Sequence, residues 1–211
     1  MNIVILGAGG QGKVVLDILK KNNYHVIGFI DDDKNKKGKL INNVKVLGNF
    51  LDINKTKKNI DGIVIGIGDN NIRSDYFLKI KKLNLKIVNA IHPNTIISEN
   101  VKIGKGVIIV GGAVVNTNVK IGNNVIINTG ATVDHDCVLG DNSQICPGVN
   151  LAGNVKIKKN AFIGTGAVIN PGICIGENSI VGSGSTIIRD VPKNVVVVGM
   201  PGKIIKKIGD R

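Results

Sequence analysis

The residues best suited to acid–base chemistry form one short run, Asp134, His135 and Asp136. Their neighbours Val133 and Cys137 belong to a repeat that directs them into the protein, so the three polar side chains are expected to face outward. A carboxylate bonded to one nitrogen of an imidazole fixes its tautomer and raises the basicity of the other nitrogen. The local sequence supports two interpretations about equally: a general base, or a solvated histidine between two solubilising acids.

The other histidines and the cysteines offer less chemistry. His25 precedes a strand and has no polar neighbours of interest, and His92 stands before a proline, where a structural role is expected. The cysteines are odd in number and one occupies an inward position, which predicts reduced thiols in a cytoplasm and no disulfide framework. Because no CxxC or paired-histidine spacing occurs, the sequence indicates no metal site. The cysteines are Cys137, Cys146 and Cys174.

A glycine-rich turn near the start of the chain has the residue types of a phosphate-binding loop. Residues 7–13 (GAGGQGK) follow the apolar run 2–6 and precede a helical pattern, and a second apolar run, 25–30, ends in three acids. This is a βαβ unit with a G-x-G-x-x-G turn. The glycines let a ligand approach the backbone, and the helix N-terminus offers free N–H groups to a phosphate. The alternative is a tight turn that only packs a helix on a strand.

Taken literally the turn indicates NAD, but the size of the region argues against that cofactor. Only about 90 residues precede the repeats, too few for both halves of a dinucleotide fold, so a mononucleotide or a nucleotide-sugar fits better. Residues 34–43 read as a loop and 44–47 as a short strand. A buried strand over 62–71 ends in Gly66, Gly68 and Asp69, where open parallel sheets bind ligands. A helix over 72–83 and a strand over 85–91 follow.

The element that must position His135 is a six-residue repeat that runs from Ile91 to Pro192 without interruption. Every sixth residue from 91 to 187 is Ile, Val or Leu, and the residue four places later is small or β-branched. A period of six is typical of a hexapeptide β-helix, whereas a β-sandwich would need turn signals about 8–12 residues apart. Glycines at 104, 122, 140 and 176 recur at multiples of eighteen, which predicts three hexads in each triangular coil.

These patterns predict an N-terminal α/β, Rossmann-like βαβ domain over 1–90 and an all-β parallel β-helix over 91–192. A C-terminal strand and a basic tail fill 193–211. No stretch is long and apolar enough to span a bilayer and no signal peptide is evident, so we expect no membrane insertion and a cytoplasmic location.

The net charge of +13 invites a nucleic-acid interpretation. The excess is scattered lysine, arginine occurs only at Arg73, Arg189 and Arg211, and aromatic stacking platforms are nearly absent. We therefore expect no nucleic-acid partner. The charge can instead attract small polyanions such as nucleotide diphosphates or CoA.

Several segments together resemble the bacterial sugar acetyltransferases of the hexapeptide superfamily, in the group with an N-terminal nucleotide-sugar domain. That group includes UDP-amino-sugar and perosamine N-acetyltransferases and sialic-acid O-acetyltransferases. The resemblance covers essentially the whole chain and implies a left-handed β-helix and a homotrimer with the active site between neighbouring coils. The segments are GAGGQGK (7–13), DHDCVLGD (134–141), PGVNLAGNVKI (147–157), and GSGSTIIRDVP (182–192) with VVGMPGK (197–203).

The resemblance also implies roles for particular residues. His135 is the implied general base, Asp136 raises its basicity, and no acyl-enzyme is expected, because Cys137 points inward. Relatives often carry histidine where this chain has Gln144, at a position that touches acetyl-CoA, and where it has Gln11. We therefore expect altered acetyl-CoA affinity and leave the sugar-nucleotide contacts open. The implied acetyl-CoA groove contains Gln144, Gly153, Thr165 and Ser183, the implied phosphate or ribose contacts are Gly9, Gly10 and Gln11, and the implied nucleobase contacts are Asp31, Asp32 and Gly68.

The leading hypothesis is an acetyl-CoA-dependent N-acetyltransferase acting on a nucleotide-linked 4-amino-sugar, with UDP as the expected nucleotide, in surface glycan or glycoprotein synthesis. O-acetylation of sialic acid or a related sugar by the same residues is the nearest alternative. A non-catalytic nucleotide-sugar-binding scaffold and an NAD-dependent enzyme are alternatives of other classes. The sequence does not distinguish an amine acceptor from a hydroxyl, because a general base removes a similar proton from both.

Overall fold

The computed structural model describes residues 1–53 and 59–209 of the chain. The chain divides into two compact units, Met1–Pro93 and Asn94–Arg211. The segment that the sequence sets apart from residue 193 onward belongs to the second unit, and its last two residues, 210 and 211, lie outside the described residues. Across the described part of the chain, no helix has both the length and the apolar character needed to cross a membrane.

The first unit is a small α/β fold. Its elements are β1 (Asn2–Leu6), α1 (Gly10–Lys21), β2 (His25–Ile30), β3 (Leu40–Ile41), β4 (Val44–Gly48), β5 (Gly62–Ile65), α2 (Asn70–Lys82) and β6 (Ala90–Ile91). The sheet has the strand order β3-β4-β2-β1-β5. Strand β1 is parallel to β2 and β5, β2 is parallel to β4, and β3 forms a hairpin with β4. Short 3-10 turns occur at Lys34–Lys36 and Phe50–Asp52.

Apolar residues of the central strands form the core of this unit and explain why it folds. Strands β1 and β5 are buried almost throughout, as their unbroken apolar runs predict. The strand predicted over 85–91 is interrupted. Ile87 makes a single bridge to Ile63, and Ala90–Ile91 form the separate strand β6. The core cluster contains Val4, Leu6, Ile30, Ile53, Ile63, Ile65 and Ile80.

The second unit is a triangular parallel β-helix whose strands are two residues long in each hexad. Each strand pairs with the strand eighteen residues later, as Val114 does with Thr132, which confirms three hexads per coil. We name its three sheets face A, face B and face C. Face A comprises β7 (Ile96–Ile97), β10 (Val114–Val115), β13 (Thr132–Val133), β16 (Asn150–Leu151), β19 (Val168–Ile169) and β22 (Thr186–Ile187); face B comprises β8 (Lys102–Ile103), β11 (Lys120–Ile121), β14 (Val138–Leu139), β17 (Lys156–Ile157) and β20 (Cys174–Ile175); face C includes β9 (Ile108–Ile109), β12 (Ile126–Ile127), β15 (Gln144–Ile145), β18 (Phe162–Ile163), β21 (Ile180–Val181), β23 (Val195–Val198) and β24 (Lys203–Lys207).

The two hexad series fill the interior as predicted. From Val107 to Val191 every member of both series is buried, and only the first coil leaves its members partly exposed. Beyond the hexads, the predicted basic tail is ordered differently from the expectation. It forms β24, which runs antiparallel to β23 and extends the sheet of face C.

At most corners of the coil, one residue of the turn adopts the left-handed backbone region, with a positive φ. The corner between faces B and C carries Asn124, Asn142, Asn160, Asn178 and Asn194, each at a φ of 57–60°. Asparagine tolerates this backbone region better than most residues. Its amides also bond between coils: Nδ2 of Asn124 donates to Oδ1 of Asn142 at 2.7 Å, and Nδ2 of Asn160 donates to Oδ1 of Asn178 at 3.0 Å.

Candidate active site

His135 lies at the corner between strands β13 and β14, which we call the histidine corner. Val133 and Cys137, on either side of it, are 1% and 0% exposed, so the chain must turn its intervening residues outward. The side chains of His135 and Asp136 are 49% and 44% exposed, respectively. The β-helix therefore presents the candidate base on its surface, as the sequence predicts.

His135 and Asp136 form a directly bonded pair. Nδ1 of His135 lies 2.8 Å from Oδ2 of Asp136. An ionised carboxylate can only accept, so Nδ1 carries the proton and the lone pair is left on Nε2. In the described part of the chain, Nε2 has no hydrogen-bond partner. The imidazole is thus held in the tautomer that a general base requires.

The pair also shifts the protonation of both groups. The hydrogen bond to Asp136 is the main cause that raises the pKa of His135 above its usual value, and the nearby charge of Asp134 adds to it. The same bond, together with one from Asn118, lowers the pKa of Asp136. His135 is therefore a stronger base than a free imidazole, and Asp136 remains ionised while it accepts the hydrogen bond from Nδ1–H.

Two asparagines one coil earlier orient the acids of this corner. Nδ2 of Asn118 donates to Oδ1 of Asp136 at 3.2 Å, and Nδ2 of Asn116 donates to Oδ1 of Asp134 at 2.9 Å. Asp134 in turn accepts a bond from the backbone N–H of His135 at 2.8 Å. Sequence reasoning missed these asparagines, although each lies eighteen residues before its acid, which is the coil period.

Gly153, one coil after His135, is packed against the imidazole. A Cβ atom at this position would lie 2.6 Å from both Cε1 and Nε2 of His135. Any larger residue would therefore push the ring out of its place. The backbone oxygen of His135 also accepts a bond from Asn154 at 2.9 Å, which ties the two coils together beside the ring. Gly153 positions the base, whatever further contact it makes with a ligand.

Cys137 follows the pair but faces the interior. It is 0% exposed, its Sγ donates to the carbonyl of Ala152 at 3.2 Å, and burial raises its pKa to about 11. A thiol that is buried and protonated at neutral pH is a poor nucleophile. None of the cysteines Cys137, Cys146 and Cys174 forms a disulfide.

Of the four residues implied for the acetyl-CoA groove, three lie on other parts of the coil than His135. Gln144 is on β15 of face C, is 7% exposed, and has its amide Nε2 3.7 Å from Sγ of Cys146. Thr165 and Ser183 are exposed and lie at the corner between faces C and A, in turns that follow β18 and β21. In a single chain, only Gly153 of this set adjoins His135.

The glycine-rich turn of the first unit has an open side and a closed side. Gly9 precedes α1 in an extended conformation, Gly10 begins the helix, and a Cβ at either would meet nothing within 4 Å. Gly12, by contrast, lies so close to Gly7 that a Cβ would be 2.0 Å from the Gly7 carbonyl oxygen. Nε2 of Gln11 is buried and lacks a hydrogen-bond partner among the described residues.

Asp31 braces this turn from the end of β2. Its Oδ2 accepts from the backbone N–H of Ala8 at 2.7 Å and from Nζ of Lys36 at 3.0 Å, and its Oδ1 accepts from the N–H of Asp33 at 2.9 Å. Burial alone would raise the pKa of Asp31, but these bonds and the Lys36 charge lower it. The carboxylate therefore holds the loop, and its oxygens already have partners.

Asp32 sits in an aromatic setting that the sequence did not indicate. It accepts bonds from the backbone N–H of Phe50, at 2.8 Å, and from the hydroxyl of Tyr76. The Phe50 and Tyr76 rings lie 5.1 Å apart between centroids. Burial and the bond to Asp32 raise the pKa of Tyr76, which stays a neutral donor. The sequence shows that acids follow β2. It does not show that Asp32 contacts Phe50 and Tyr76, which lie 18 and 44 positions later in the chain.

Gly68 lies after β5, with open space where a side chain would be. Its carbonyl accepts a bond at 3.0 Å from Nη1 of Arg73, a fully buried residue on α2. Nη2 of Arg73 also donates to Oδ1 of Asn70 at 2.8 Å. Arg73 therefore fixes the loop that carries Gly68. Within residues 1–53 and 59–209, no three or more His, Cys, Asp or Glu side chains gather to hold a metal ion.

Models of known protein families match both parts of the chain. Residues 2–80 match the PglD N-terminal domain, and residues 118–153 and 154–189 match the bacterial transferase hexapeptide repeat. The structure of PerB from Caulobacter crescentus, solved with CoA and GDP-perosamine, is 37% identical, with a TM-score of 0.93 and 98% of each chain covered. The chain belongs to the hexapeptide sugar N-acetyltransferases with a PglD N-terminal domain.

Two further proteins are similar to the whole chain or to part of it. The acetyltransferase domain of PglB from Neisseria gonorrhoeae, solved with acetyl coenzyme A, is 32% identical, with a TM-score of 0.91, covering 97% of this chain and 98% of that one. An uncharacterized protein of Acanthamoeba polyphaga mimivirus, L142, is 34% identical over 104 residues. That match covers 49% of this chain and spans only 20% of the viral protein.

Membership in this family decides several of the sequence expectations. The fold is an α/β domain followed by a left-handed parallel β-helix, as predicted. The chain is an acyltransferase of the sugar N-acetyltransferase class, which disfavours the scaffold and NAD-dependent interpretations. The matched relatives do not specify the acceptor of this chain.

Proposed function

We propose that this chain transfers the acetyl group of acetyl-CoA to the amine of a nucleotide-linked 4-amino-sugar, with His135 as the general base. The observation that carries the proposal is the His135–Asp136 pair, bonded at 2.8 Å with Nε2 left without a partner among the described residues. The relative PerB was solved with CoA and a GDP-linked amino-sugar, and the PglB domain with acetyl coenzyme A. We retain UDP as the expected nucleotide, so the nucleotide is the first variable to test.

The transfer needs one base and no covalent enzyme intermediate. The amine nitrogen of the sugar attacks the thioester carbonyl while Nε2 of His135 accepts its proton. The C–S bond then breaks, the N-acetyl product forms, and the CoA thiolate receives the proton from the imidazolium. Asp136 stabilises the imidazolium through its hydrogen bond with Nδ1–H. Gly153, which has no side chain, leaves the space that the imidazole ring occupies. Cys137 takes no part, since it is buried and protonated.

The nucleotide end of the acceptor is assigned to the first unit. Because Gly9 and Gly10 have no side chains, a ligand can approach the backbone at the start of α1. Backbone N–H groups and the helix dipole favour a phosphate there. The unpartnered Nε2 of Gln11 supplies a further donor at this turn. Asp31 acts by holding the turn, while Asp32 and the Gly68 loop remain the candidates for the nucleobase end.

Acetyl-CoA is the proposed cosubstrate, and a homotrimer is the proposed assembly. Thr165 and Ser183 are exposed and available to a ligand, whereas Gln144 is 7% exposed in the chain. The amide of Gln144 can still donate a hydrogen bond. We therefore expect glutamine in place of the relatives' histidine to change the affinity for acetyl-CoA and not the rate of the chemical step.

The test is thioester cleavage with a panel of acceptors. Purified protein and acetyl-CoA are combined with UDP-, GDP- or dTDP-linked 4-amino-sugars, beside free and CMP-linked sialic acid, and released CoA is measured with a thiol reagent. We expect release with one amino-sugar, and a loss of about 10²-fold or more in kcat for His135→Ala. Release with sialic acid alone, or full activity of His135→Ala, would refute the proposal.

A further inference from the structure

The two acids of the histidine corner line different grooves of the β-helix. Asp136 lines a groove of about 390 Å³ on the side of face B, together with Lys102 and Lys120. Asp134 lines a groove of about 410 Å³ along face A. Among the described residues that line the face A groove, Asp134 is the only charged one, and the others are apolar or carry an amide or a hydroxyl group. The proposed transfer uses Asp136 but gives Asp134 no task.

The carboxylate of Asp134 is held through one of its two oxygens. Its Oδ1 accepts a hydrogen bond from Nδ2 of Asn116 at 2.9 Å and another from the backbone N–H of His135 at 2.8 Å. In the part of the chain that the structure describes, Oδ2 accepts no hydrogen bond and joins no ion pair. Asp136 differs, because its Oδ2 is bonded to Nδ1 of His135 and its Oδ1 to Nδ2 of Asn118. Asp134 therefore offers a fixed and unpartnered carboxylate oxygen to a ligand.

This carboxylate and the basic nitrogen of His135 adjoin the same piece of backbone. Nε2 of His135 lies against Gly153, where an added Cβ would be 2.6 Å from it. Ala152, the residue before Gly153, lines the face A groove together with Asp134. The groove therefore extends from the carboxylate of Asp134 to the backbone beside Nε2, so one small group of a ligand can contact both the carboxylate and the base.

An amine and a hydroxyl carry opposite charge as they attack a thioester. When a neutral amine bonds to the carbonyl carbon, positive charge builds on the nitrogen until a base removes the proton. When a hydroxyl attacks with the help of a base, the oxygen carries negative charge instead. A carboxylate beside the attacking atom stabilises the first transition state and destabilises the second. The turns one coil before and one coil after, 116–118 and 152–154, contain no ionisable residue that would offset this charge.

We propose that Asp134 makes the site selective for an amine, because its unpartnered Oδ2 binds the attacking nitrogen of the acceptor during acetyl transfer. This inference rests on the proposed function and names the reacting group of the acceptor within it. The N–C bond forms, the C–S bond breaks, and the proton passes from the nitrogen to Nε2 of His135 and then to the CoA thiolate. Asp134 exchanges no proton. It determines specificity by contact with the acceptor, whereas Asp136 acts through His135.

Asp134→Asn is the most direct variant, because it removes the charge and changes little else. The amide oxygen of an asparagine can still accept the bonds from Asn116 and from the N–H of His135, while its NH2 group takes the place of Oδ2. Asp134→Glu keeps the charge on a longer side chain and is the conservative variant. Asp136→Asn is the matched control, because it weakens the base for any acceptor. Melting temperatures measured by circular dichroism check that each variant folds.

The measurement compares an amine acceptor with its hydroxyl counterpart. The acceptor is the amino-sugar nucleotide that the wild type acetylates, and the counterpart, which has a hydroxyl in place of the amine, is used both as a competitive inhibitor and as an acceptor. CoA release is followed on the pH-independent plateau, because the charge of Asp134, after the bond to Asp136, also contributes to the raised pKa of His135. For Asp134→Asn we expect kcat/KM for the amine to fall by about 10- to 100-fold, with little change in the Ki of the hydroxyl compound. Asp134→Glu should recover part of the loss, and Asp136→Asn should lower kcat without any gain in O-acetylation.

Two results would overturn the role of Asp134. An unchanged kcat/KM for the amine in Asp134→Asn would mean that Oδ2 does not contact the nitrogen, and an equal loss of affinity for the hydroxyl compound would mean that Asp134 holds the sugar whatever its reacting group. If Asp134→Asn does not fold, Asn116→Ala decides, because it removes one of the two donors to Oδ1 and should lower kcat/KM for the amine alone. A wild type that releases CoA with no amino-sugar of the panel would refute the proposed function itself.

Discussion

Replacing Gly153 with alanine should displace the catalytic base without disturbing the fold. The added Cβ would lie 2.6 Å from Nε2 and Cε1 of His135, whereas ordinary van der Waals contact begins at 3.4 Å. The ring must therefore retreat by about 0.8 Å, the difference between those two distances. It cannot simply rotate, because Nδ1 is bonded to Asp136 at 2.8 Å. Gly153 has no left-handed φ, so alanine fits its backbone.

A misplacement of about 1 Å at a reacting group can cost about 10²-fold in rate. We expect a loss of this order in kcat for Gly153→Ala, equivalent to about 2.7 kcal/mol in the activation barrier. KM for the acceptor and the melting temperature should change little. The assay is CoA release under saturating substrates, with circular dichroism to follow unfolding.

The control is the same substitution in a His135→Ala background. If Gly153 acts through the imidazole, the second substitution should cost nothing further, and the double-mutant cycle should show strong coupling. If Gly153 acts mainly by admitting acetyl-CoA to the backbone, Gly153→Ala should raise KM for acetyl-CoA in both backgrounds. Full activity of Gly153→Ala would refute the reasoning, since the ring would then have found another productive position.

Three further predictions follow from particular contacts. Asp136→Asn removes the main cause that raises the pKa of His135. Because the neutral imidazole is the active form, the acid limb of the profile of kcat against pH should move to lower pH, and the plateau should be lower. An acid limb at the same pH would contradict the pairing. Asn142→Ala should destabilise the coil by about 2–3 kcal/mol, since it forces alanine to φ +60° and removes the bond to Asn124. Asn142→Gly, which keeps the turn, should cost only about 1 kcal/mol in a urea titration, and equal losses would mean that the backbone conformation is irrelevant. Gly12→Ala should destabilise the protein by about a few kcal/mol, because the added Cβ would lie 2.0 Å from the Gly7 carbonyl oxygen. Gly10→Ala is the control, since a Cβ at Gly10 would meet nothing within 4 Å. A similar melting temperature for both variants would show that the turn can relax.

Much of the architecture could be predicted from the sequence, because the inward residues of a β-helix recur at a fixed spacing of six residues. Each coil buries one aliphatic and one small residue per hexad, so the order of residues alone reveals the inside and the outside. That periodicity also predicted that the residues between Val133 and Cys137 face outward, and the structure confirms it. The βαβ turn was visible for a similar reason, since the helix and its glycines are contiguous along the chain.

Pairing between distant segments shows where this reasoning reached its limit. The predicted strand over 85–91 was reduced to a bridge at Ile87 and the two residues of β6, and the basic tail became strand β24. In both cases the pairing partner is distant in sequence, and backbone pairing depends on which edge is available and not on the local pattern alone. The role of Asp31 was likewise hidden, because its partners Ala8 and Lys36 reach it only through the fold.

The sequence by itself therefore determined the class of fold, the two-part organisation and the identity of the candidate base. Local periodicity and motif spacing carry that information along the chain. Only the tertiary structure decided that Gly153 holds the imidazole, that Asn118 orients Asp136, and that Thr165 and Ser183 lie at another corner from His135. These relations depend on stacking of coils eighteen residues apart and on the closure of three faces into a triangle, which bring together or separate residues regardless of their chemistry.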